Sequence, residues 1–113
     1  MSYYTLYHQT DESSARAIIS SQQMRPGVSG RAGGAMYFSL TPTDTIGPAR
    51  RRGVILQCEV LLGNIKDIGT DRDCSMNYQT LKSPGYDSLK RRDQTTSIVV
   101  YNTNQIRTIQ RYN

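Results

Sequence analysis

The chain has 113 residues, which suits one domain spanning residues 1–113 and leaves little room for a second. Hydrophobic residues make up 36% of it, a low share for a compact domain but one above the range of disordered chains. The formal net charge of +5 fits either solvated surface clusters or an anionic partner, and charge alone does not choose between them.

The predicted elements begin with a strand from Tyr3 to His8, a segment rich in aromatic and β-branched residues. Thr10-Asp11 offers an N-cap, and apolar residues at helical spacing then predict a short amphipathic helix from about Asp11 to Gln23. Ala35 to Ser39 predicts a short strand. Thr41-Pro42 predicts the start of a short helix, with Thr as the cap and Pro in the first position.

The apolar run from Val54 to Leu62 predicts the strongest strand, one that is central in its sheet and buried on both faces. The polar, turn-rich segment 64–92 predicts loops, with one short helix near Ser75 to Leu81. Two closing strands are predicted from Ile98 to Tyr101 and from Ile106 to Tyr112. The sum is a strand-rich α+β domain with one clear helix.

The cysteines and the N-terminus bear on metal binding and location. Cys58 and Cys74 form neither a CxxC motif nor a Cys/His cluster, so we expect no metal site. Cys58 lies in the apolar run and is predicted to be a buried thiol. Met1 to His8 does not resemble a signal peptide, and the run from Val54 to Leu62 is too short to cross a bilayer. We therefore expect a soluble, cytoplasmic protein without a membrane partner.

Four segments, in this order, resemble the catalytic domain of poly(ADP-ribose) polymerases and the related diphtheria-toxin-like ADP-ribosyltransferases. The first, Leu6 to Thr10, is similar to the family's strand that carries a histidine. The second, Gly33 to Ser39, is similar to its glycine-rich turn into a Tyr-Phe strand. The third, Gly53 to Asn64, is similar to its aliphatic strand ending in Glu-Val-x-Leu-Gly-Asn. The fourth combines Gly85 to Ser88 with Ile98-Val99-Val100-Tyr101-Asn102 and Gln105-Ile106, and it is similar to the family's Gly-x-x-Ser loop and last strands.

The resemblance implies an ADP-ribosyltransferase-like α+β fold with two small, packed, antiparallel-rich sheets, one N-terminal helix and short helical turns. It implies an NAD-dependent mono-ADP-ribosyltransferase, a glycosyltransferase that passes ADP-ribose from NAD to a protein or nucleic-acid acceptor and releases nicotinamide. NAD would be a substrate, and the chemistry would need no metal. The transition state would resemble that of glycoside cleavage.

The same resemblance implies roles for particular side chains. His8 would bond a hydroxyl of the adenosine-side ribose, and Tyr37 would stack its ring on the nicotinamide. Gln9 stands where the family usually has Gly, whose main chain clasps the nicotinamide amide. Thr45 falls where relatives place a Ser that bonds the same amide. The resemblance places the following residues at the NAD site: His8, Gln9, Thr10, Tyr37, Phe38 and Thr45.

Two further positions depart from the family pattern. Ser97 stands at the catalytic position where polymerases carry Glu, and it can form hydrogen bonds but has no charge. Chain elongation should therefore be lost, while transfer of one unit is expected, with Asp93 or Gln94 as substitutes if the loop is shifted. Pro48 falls where the family has a second stacking tyrosine.

Other interpretations of these residues stay open. His8 is also compatible with a structural histidine at a strand end, Tyr37 with a core tyrosine, and Glu59 with an ordinary structural ion partner. The chain as a whole is also compatible with a catalytically inactive NAD- or ADP-ribose-binding module of the same fold. A third hypothesis is an RNA-directed relative in which the basic clusters at 50–52 and 90–92 hold phosphates.

Overall fold

The computed structural model describes residues 3–24, 35–46, 52–69, 85–92 and 95–113. Several predictions lie outside these residues: the glycine-rich turn at Gly33-Gly34, Pro48, Cys74, the helix near Ser75 to Leu81, and Asp93 with Gln94. The described elements are β1 (Tyr3–Thr10), α1 (Glu12–Ser21), β2 (Met36–Ser39), a 3₁₀ helix (Thr43–Ile46), β3 (Val54–Leu61), β4 (Ile65–Gly69), β5 (Ser88–Arg92), β6 (Thr96–Val100), a second 3₁₀ helix (Thr103–Gln105) and β7 (Ile106–Arg111).

Within the described residues, the strands form one hydrogen-bonded sheet of seven strands in the order β4-β5-β6-β2-β1-β3-β7. The α+β class and the antiparallel-rich character are confirmed, since every described neighbour pair except β4–β5 is antiparallel. The expectation of two separate sheets is wrong for the described residues. The physical reason is a narrow junction, the pairing of Tyr7 with Ser39, which links β4-β5-β6-β2 to β1-β3-β7.

The helix follows its sequence signals closely. The Asp11 side chain accepts a hydrogen bond from the Ser14 amide at 2.7 Å, so it caps a helix that begins at Glu12. Ala15 is fully buried and anchors α1 to one face of the sheet. The helix ends at Ser21, and its C-cap residue Gln22 has a φ of 54°, in the left-handed region. No helix in the described part of the chain is long and apolar enough to cross a membrane.

The strand β3 is less central than its composition predicts. It lies second from one edge, between β1 and β7, and its burial alternates along the strand. Val54, Leu56, Cys58 and Val60 are buried, while the intervening side chains are half-buried. The prediction of burial on both faces is wrong because, within the described residues, the apolar core covers only one face of β3. Cys58 is a buried thiol as predicted, and burial raises its pKa to about 12.

The segment 64–92 contains two strands that sequence patterning missed. β4 and β5 are short and polar, and they pair with each other in parallel. Their own residues carry little strand propensity, so long-range pairing decides their conformation. The two closing strands are confirmed, although β6 begins at Thr96, before the apolar run, and β6 and β7 lie in different halves of the sheet.

The buried apolar residues form two clusters on opposite faces of the sheet. The main core lies between α1 and the sheet and includes Leu6, Phe38, Leu56 and Ile98. The second cluster lies on the other face, over β5, β6 and β2, and is built from Ala35, Leu89, Val99 and Tyr101, with Tyr37 packed against it. Cross-strand partners share a face in an antiparallel sheet, so this division decides which functional side chains lie together.

Candidate functional site

The candidate site lies where β1 and β2 separate. The registered pairing of these strands is at Tyr7 and Ser39, and the next residues of β1 have no registered partner in β2. His8 lies at this point, and its Nδ1 is 2.8 Å from the carbonyl oxygen of Tyr37. The imidazole thus bonds the main chain of β2 where the strand ladder stops, and the gap beyond it is bordered by both strands.

The protonation of His8 follows from this contact. A carbonyl oxygen only accepts, so Nδ1 carries the hydrogen and donates it. Desolvation by burial lowers the pKa of His8, and the bond to Tyr37 offsets this only in part. The ring is therefore neutral near pH 7, with Nε2 as a hydrogen-bond acceptor. A ribose hydroxyl is the kind of donor that such a nitrogen binds.

Phe38 packs beside the imidazole on the core side of the sheet, the face on which Thr10 also lies. The rings of His8 and Phe38 are tilted by 59°, with centroids 6.0 Å apart, and Phe38 is almost fully buried in the main core. Thr10 is buried opposite Val54, on the same face as His8. The structure therefore places Phe38 in the packing beside His8, and it places Thr10 two residues further along the same face of β1.

The Gln9 side chain connects three elements. Its Nε2 donates to the Thr45 hydroxyl at 2.9 Å, and its Oε1 accepts from the Gly53 amide at 3.2 Å. The Thr45 hydroxyl in turn donates to the Pro42 carbonyl at 2.6 Å, and Thr45 is buried. The resemblance placed Gln9 at the NAD site through a main-chain clasp of the nicotinamide amide and implied no contact for its side chain. Its amide in fact joins β1 to the first 3₁₀ helix and to the start of β3.

Tyr37 and Ser97 lie on the opposite face from His8. Alternation along β2 places Tyr37 with Ser39 on this face, and Ser97 is the cross-strand partner of Ser39. Tyr37 packs against the second cluster beside Tyr101. Burial and the neighbouring Tyr37 together raise the pKa of Tyr101 to about 12, and Arg91 opposes part of this rise. The phenols of Tyr37 and Tyr101 and the guanidinium of Arg91 are therefore electrostatic neighbours.

Arg91 lies on the same face as Tyr37 and Ser97, and its burial was not predicted from the sequence. The basic cluster at 90–92 was expected to be either a solvated loop or a surface for an anion, but it lies in β5. Arg91 is buried, whereas Arg92 is exposed. The signal was present in the alternation of the strand, because Arg91 shares a face with the buried Leu89 two residues earlier.

Other motif residues meet at a turn near Leu61, which pairs with Tyr3 at the far end of β1 from the gap. The Asn64 main-chain N–H donates to the Asp87 carboxylate at 2.9 Å, and the Ser88 hydroxyl donates to the Leu62 carbonyl at 2.8 Å. The Gln105 side-chain amide donates to the main-chain carbonyls of Leu61 and Asp87 at 3.1 and 3.0 Å. These contacts give a structural role to three of the motifs that resemble the family, namely Gly63-Asn64, Asp87-Ser88 and Gln105-Ile106.

Glu59 has the structural partner expected of it. Its carboxylate lies 2.7 Å from Arg107 Nη2, and the bond from Arg107 lowers the pKa of Glu59. The Arg107 guanidinium also lies over the Tyr3 ring, 3.8 Å from its centroid. This surface group stabilises the pairing of β3 with β7 modestly, as is usual for an exposed ion pair.

Comparisons with known proteins add no relative: no family model matches the chain, and no curated protein matches it. Within the described ranges, no three side chains among His, Cys, Asp and Glu are grouped so that they could hold a metal ion. The geometry around the gap and the resemblance of the segments that build it are therefore what points to a function.

Proposed function

We propose that the protein is an NAD-dependent mono-ADP-ribosyltransferase that passes one ADP-ribose unit from NAD to a protein or nucleic-acid acceptor. The observation that carries this proposal is the neutral imidazole of His8, bonded at 2.8 Å to the Tyr37 carbonyl where β1 and β2 separate. The bond orients Nε2 as an acceptor for a ribose hydroxyl. The resemblance of the surrounding segments to ADP-ribosyltransferases supports the same assignment.

Side chains on both faces of the sheet have a role in the proposal. His8 accepts a hydrogen bond from a ribose hydroxyl, and the half-buried Tyr37 ring offers a stacking surface for nicotinamide. Ser97, half-buried on β6, can donate to or accept from the other ribose. Holding the dinucleotide at several points orients C1′ of the nicotinamide ribose for attack.

The proposed reaction is a substitution at C1′. The bond between C1′ and the nicotinamide nitrogen breaks, and nicotinamide leaves with the bonding electron pair. An acceptor oxygen or nitrogen forms the new bond to C1′ and releases its proton to solvent. Ser97 supplies no negative charge to the oxocarbenium-like transition state, which favours single transfer over polymer formation.

One observation favours a second candidate, a catalytically inactive NAD- or ADP-ribose-binding module. The Thr45 hydroxyl already donates to Pro42 and accepts from Gln9, so it has little capacity left for a nicotinamide amide. In this candidate the ribose end binds at His8 while the nicotinamide end is poorly held. Both candidates require NAD or ADP-ribose to bind at His8.

Calorimetric titration with NAD tests the binding. His8→Asn is the sharpest variant, because the Asn amide can keep the bond to the Tyr37 carbonyl but lacks the Nε2 acceptor. We expect a loss of affinity of about tenfold, the scale of one hydrogen bond to a ligand. The matched control is Tyr4→Phe, which alters an exposed side chain of the same strand and should leave affinity unchanged.

Turnover separates the two candidates. Nicotinamide release together with an ADP-ribose adduct detected by mass spectrometry supports the transferase. Binding without release across protein and RNA acceptors supports the inactive module. Absence of NAD and ADP-ribose binding to the wild-type protein would reject both.

A further inference from the structure

A row of polar side chains crosses the middle of the sheet on the face away from α1. Arg91 on β5 is the registered partner of Ser97 on β6, and Ser97 is the partner of Ser39 on β2. Ser39 is in turn the partner of Tyr7 on β1. Directly opposed residues of antiparallel strands project to the same face with Cβ atoms about 5 Å apart. The guanidinium and the hydroxyls therefore lie in one row on the same face of the sheet.

Two members of this row are buried to a degree that is unusual for polar side chains. Arg91 is 4% exposed and Ser39 is 1% exposed. Within the described part of the chain, the Ser39 hydroxyl oxygen has no hydrogen-bond partner. A buried hydroxyl without a partner is unfavourable, and such a group in a folded protein calls for a ligand or another explanation.

The charge of Arg91 acts on the same face of the sheet. Arg91 lowers the pKa of Tyr101, which burial raises to about 12, so the guanidinium lies near the second cluster and not in bulk solvent. The Tyr101 phenol stays protonated near pH 7. A guanidinium fork matches the two oxygens of a carboxylate or phosphate, and hydroxyl donors complete such a site.

We propose that Arg91, Ser39 and Ser97 form a subsite for an oxyanion, a carboxylate or a phosphate. The identity of the molecule that brings the anion rests on the proposed function. A phosphate would come from NAD or from a nucleic-acid acceptor, and a carboxylate from an acidic protein acceptor. In the latter case the acceptor would bring negative charge to Ser97, the position that lacks it.

Inorganic phosphate and acetate are the probes. Each is titrated separately into the ¹⁵N-labelled full chain at low ionic strength, and the amide shifts of Ser39 and Ser97 are followed. We expect saturable shifts with at least one ion. Ser39→Ala should weaken binding about fivefold or more without loss of stability, since it removes a hydroxyl that has no described partner.

Two Arg91 variants complete the test. Arg91→Met should abolish the shifts, and Arg91→Lys should weaken them because it keeps the charge but loses the planar fork. The matched control is Arg92→Gln, which removes one positive charge from the exposed neighbouring residue and should leave binding within about twofold. If Arg91→Met does not fold, Ser39→Ala and Arg91→Lys still decide the result.

Several outcomes would overturn the subsite. The first is the absence of a saturable shift with either ion. The second is equal ion binding by Ser39→Ala and the wild type. The third is a loss of ion binding in Arg92→Gln as large as that in Arg91→Met, which would indicate diffuse charge attraction. Displacement of phosphate by NAD would assign the anion to the dinucleotide, whereas simultaneous binding would assign it to the acceptor. NAD binding at His8 without oxyanion binding rejects only the subsite, and the reverse result rejects only the proposed function.

Discussion

His8 is the only histidine of the chain, and its environment depends on residues far away in sequence. The Tyr37 carbonyl holds Nδ1, and the Phe38 ring packs beside the imidazole. The Leu6 to Thr10 segment identified the residue as a candidate. It contained nothing about the bond that decides the tautomer, because that bond crosses from β1 to β2.

The pH dependence of stability should report His8. Its folded pKa lies below the ordinary value of about 6.5, so the unfolded chain binds the proton more tightly. The stabilising contribution of the neutral His8 is complete above about pH 6.5 and is lost as pH falls from there toward the folded pKa. Over this range the free energy of unfolding changes by at most about 1.4 kcal/mol per pH unit.

Urea denaturation between about pH 7 and pH 5 measures this slope, a window in which few carboxylates titrate. The His8→Asn variant should give a flatter profile than the wild type. Equal slopes for the two proteins would show that another group carries the pH dependence.

Two glycines provide a matched comparison at the same scale. Gly63 and Gly69 both have φ of 58°, but a Cβ on Gly63 would lie 2.3 Å from the Asp87 carboxylate, while one on Gly69 would meet nothing within 4 Å. Gly69→Ala should cost about 1 kcal/mol from backbone strain alone. Gly63→Ala should cost at least about 1 kcal/mol more, because Asp87 must leave the Asn64 amide. Thermal denaturation of both variants checks this, and equal costs would contradict the contact.

At the scale of elements, the end of α1 is joined to the edge strand β7. The Gln22 side chain donates to the Ile109 carbonyl at 2.8 Å and accepts from the Ile109 amide at 2.9 Å. β7 is at one end of the strand order, and an edge strand presents main-chain groups that can pair with other chains. Gln22 satisfies two of those groups in the way that a neighbouring strand would.

Gln22→Ala should therefore expose the edge at Ile109. We expect a loss of about 1–2 kcal/mol of stability and faster hydrogen exchange of the Ile109 amide by about tenfold or more. The control is Gln23→Ala, which changes the exposed next residue. Unchanged exchange at Ile109 in Gln22→Ala would show that the contact does not protect the strand.

At the scale of the molecule, the two halves of the sheet are joined by few strand hydrogen bonds but share one apolar core. One registered pair, Tyr7 with Ser39, joins the two halves of the sheet. The main core nevertheless combines Leu6 and Leu56 from one half with Phe38 and Ile98 from the other. Apolar burial across the junction couples the halves more strongly than the hydrogen bonds do.

This coupling predicts a single cooperative unfolding transition. Far-ultraviolet circular dichroism and tyrosine fluorescence should give the same urea midpoint, since the chain has eight Tyr and no Trp. Phe38→Ala should lower both urea midpoints together, because it should reduce the free energy of unfolding by about 3–5 kcal/mol. Two separate midpoints in the wild-type protein would show that the halves unfold independently.

Local patterns were sufficient for the α+β class, for the helix that begins after Asp11, for the strongly apolar strands and for Cys58 as a buried thiol. These features depend on near neighbours in sequence, through capping and hydrophobic periodicity. The strands β4 and β5 were missed because their pairing is long-range. The position of β3 near the edge was missed because strand order is not encoded in the strand itself.

The sequence by itself determined the fold class and the candidates His8, Tyr37, Thr45 and Ser97. Only the tertiary structure decided that His8 bonds the Tyr37 carbonyl, that Gln9 engages Thr45, and that Arg91 lies buried beside Ser97. The physical reason is that each contact joins strands or turns distant in the chain. Their register, which one residue of slip would reverse, sets the face on which every side chain lies.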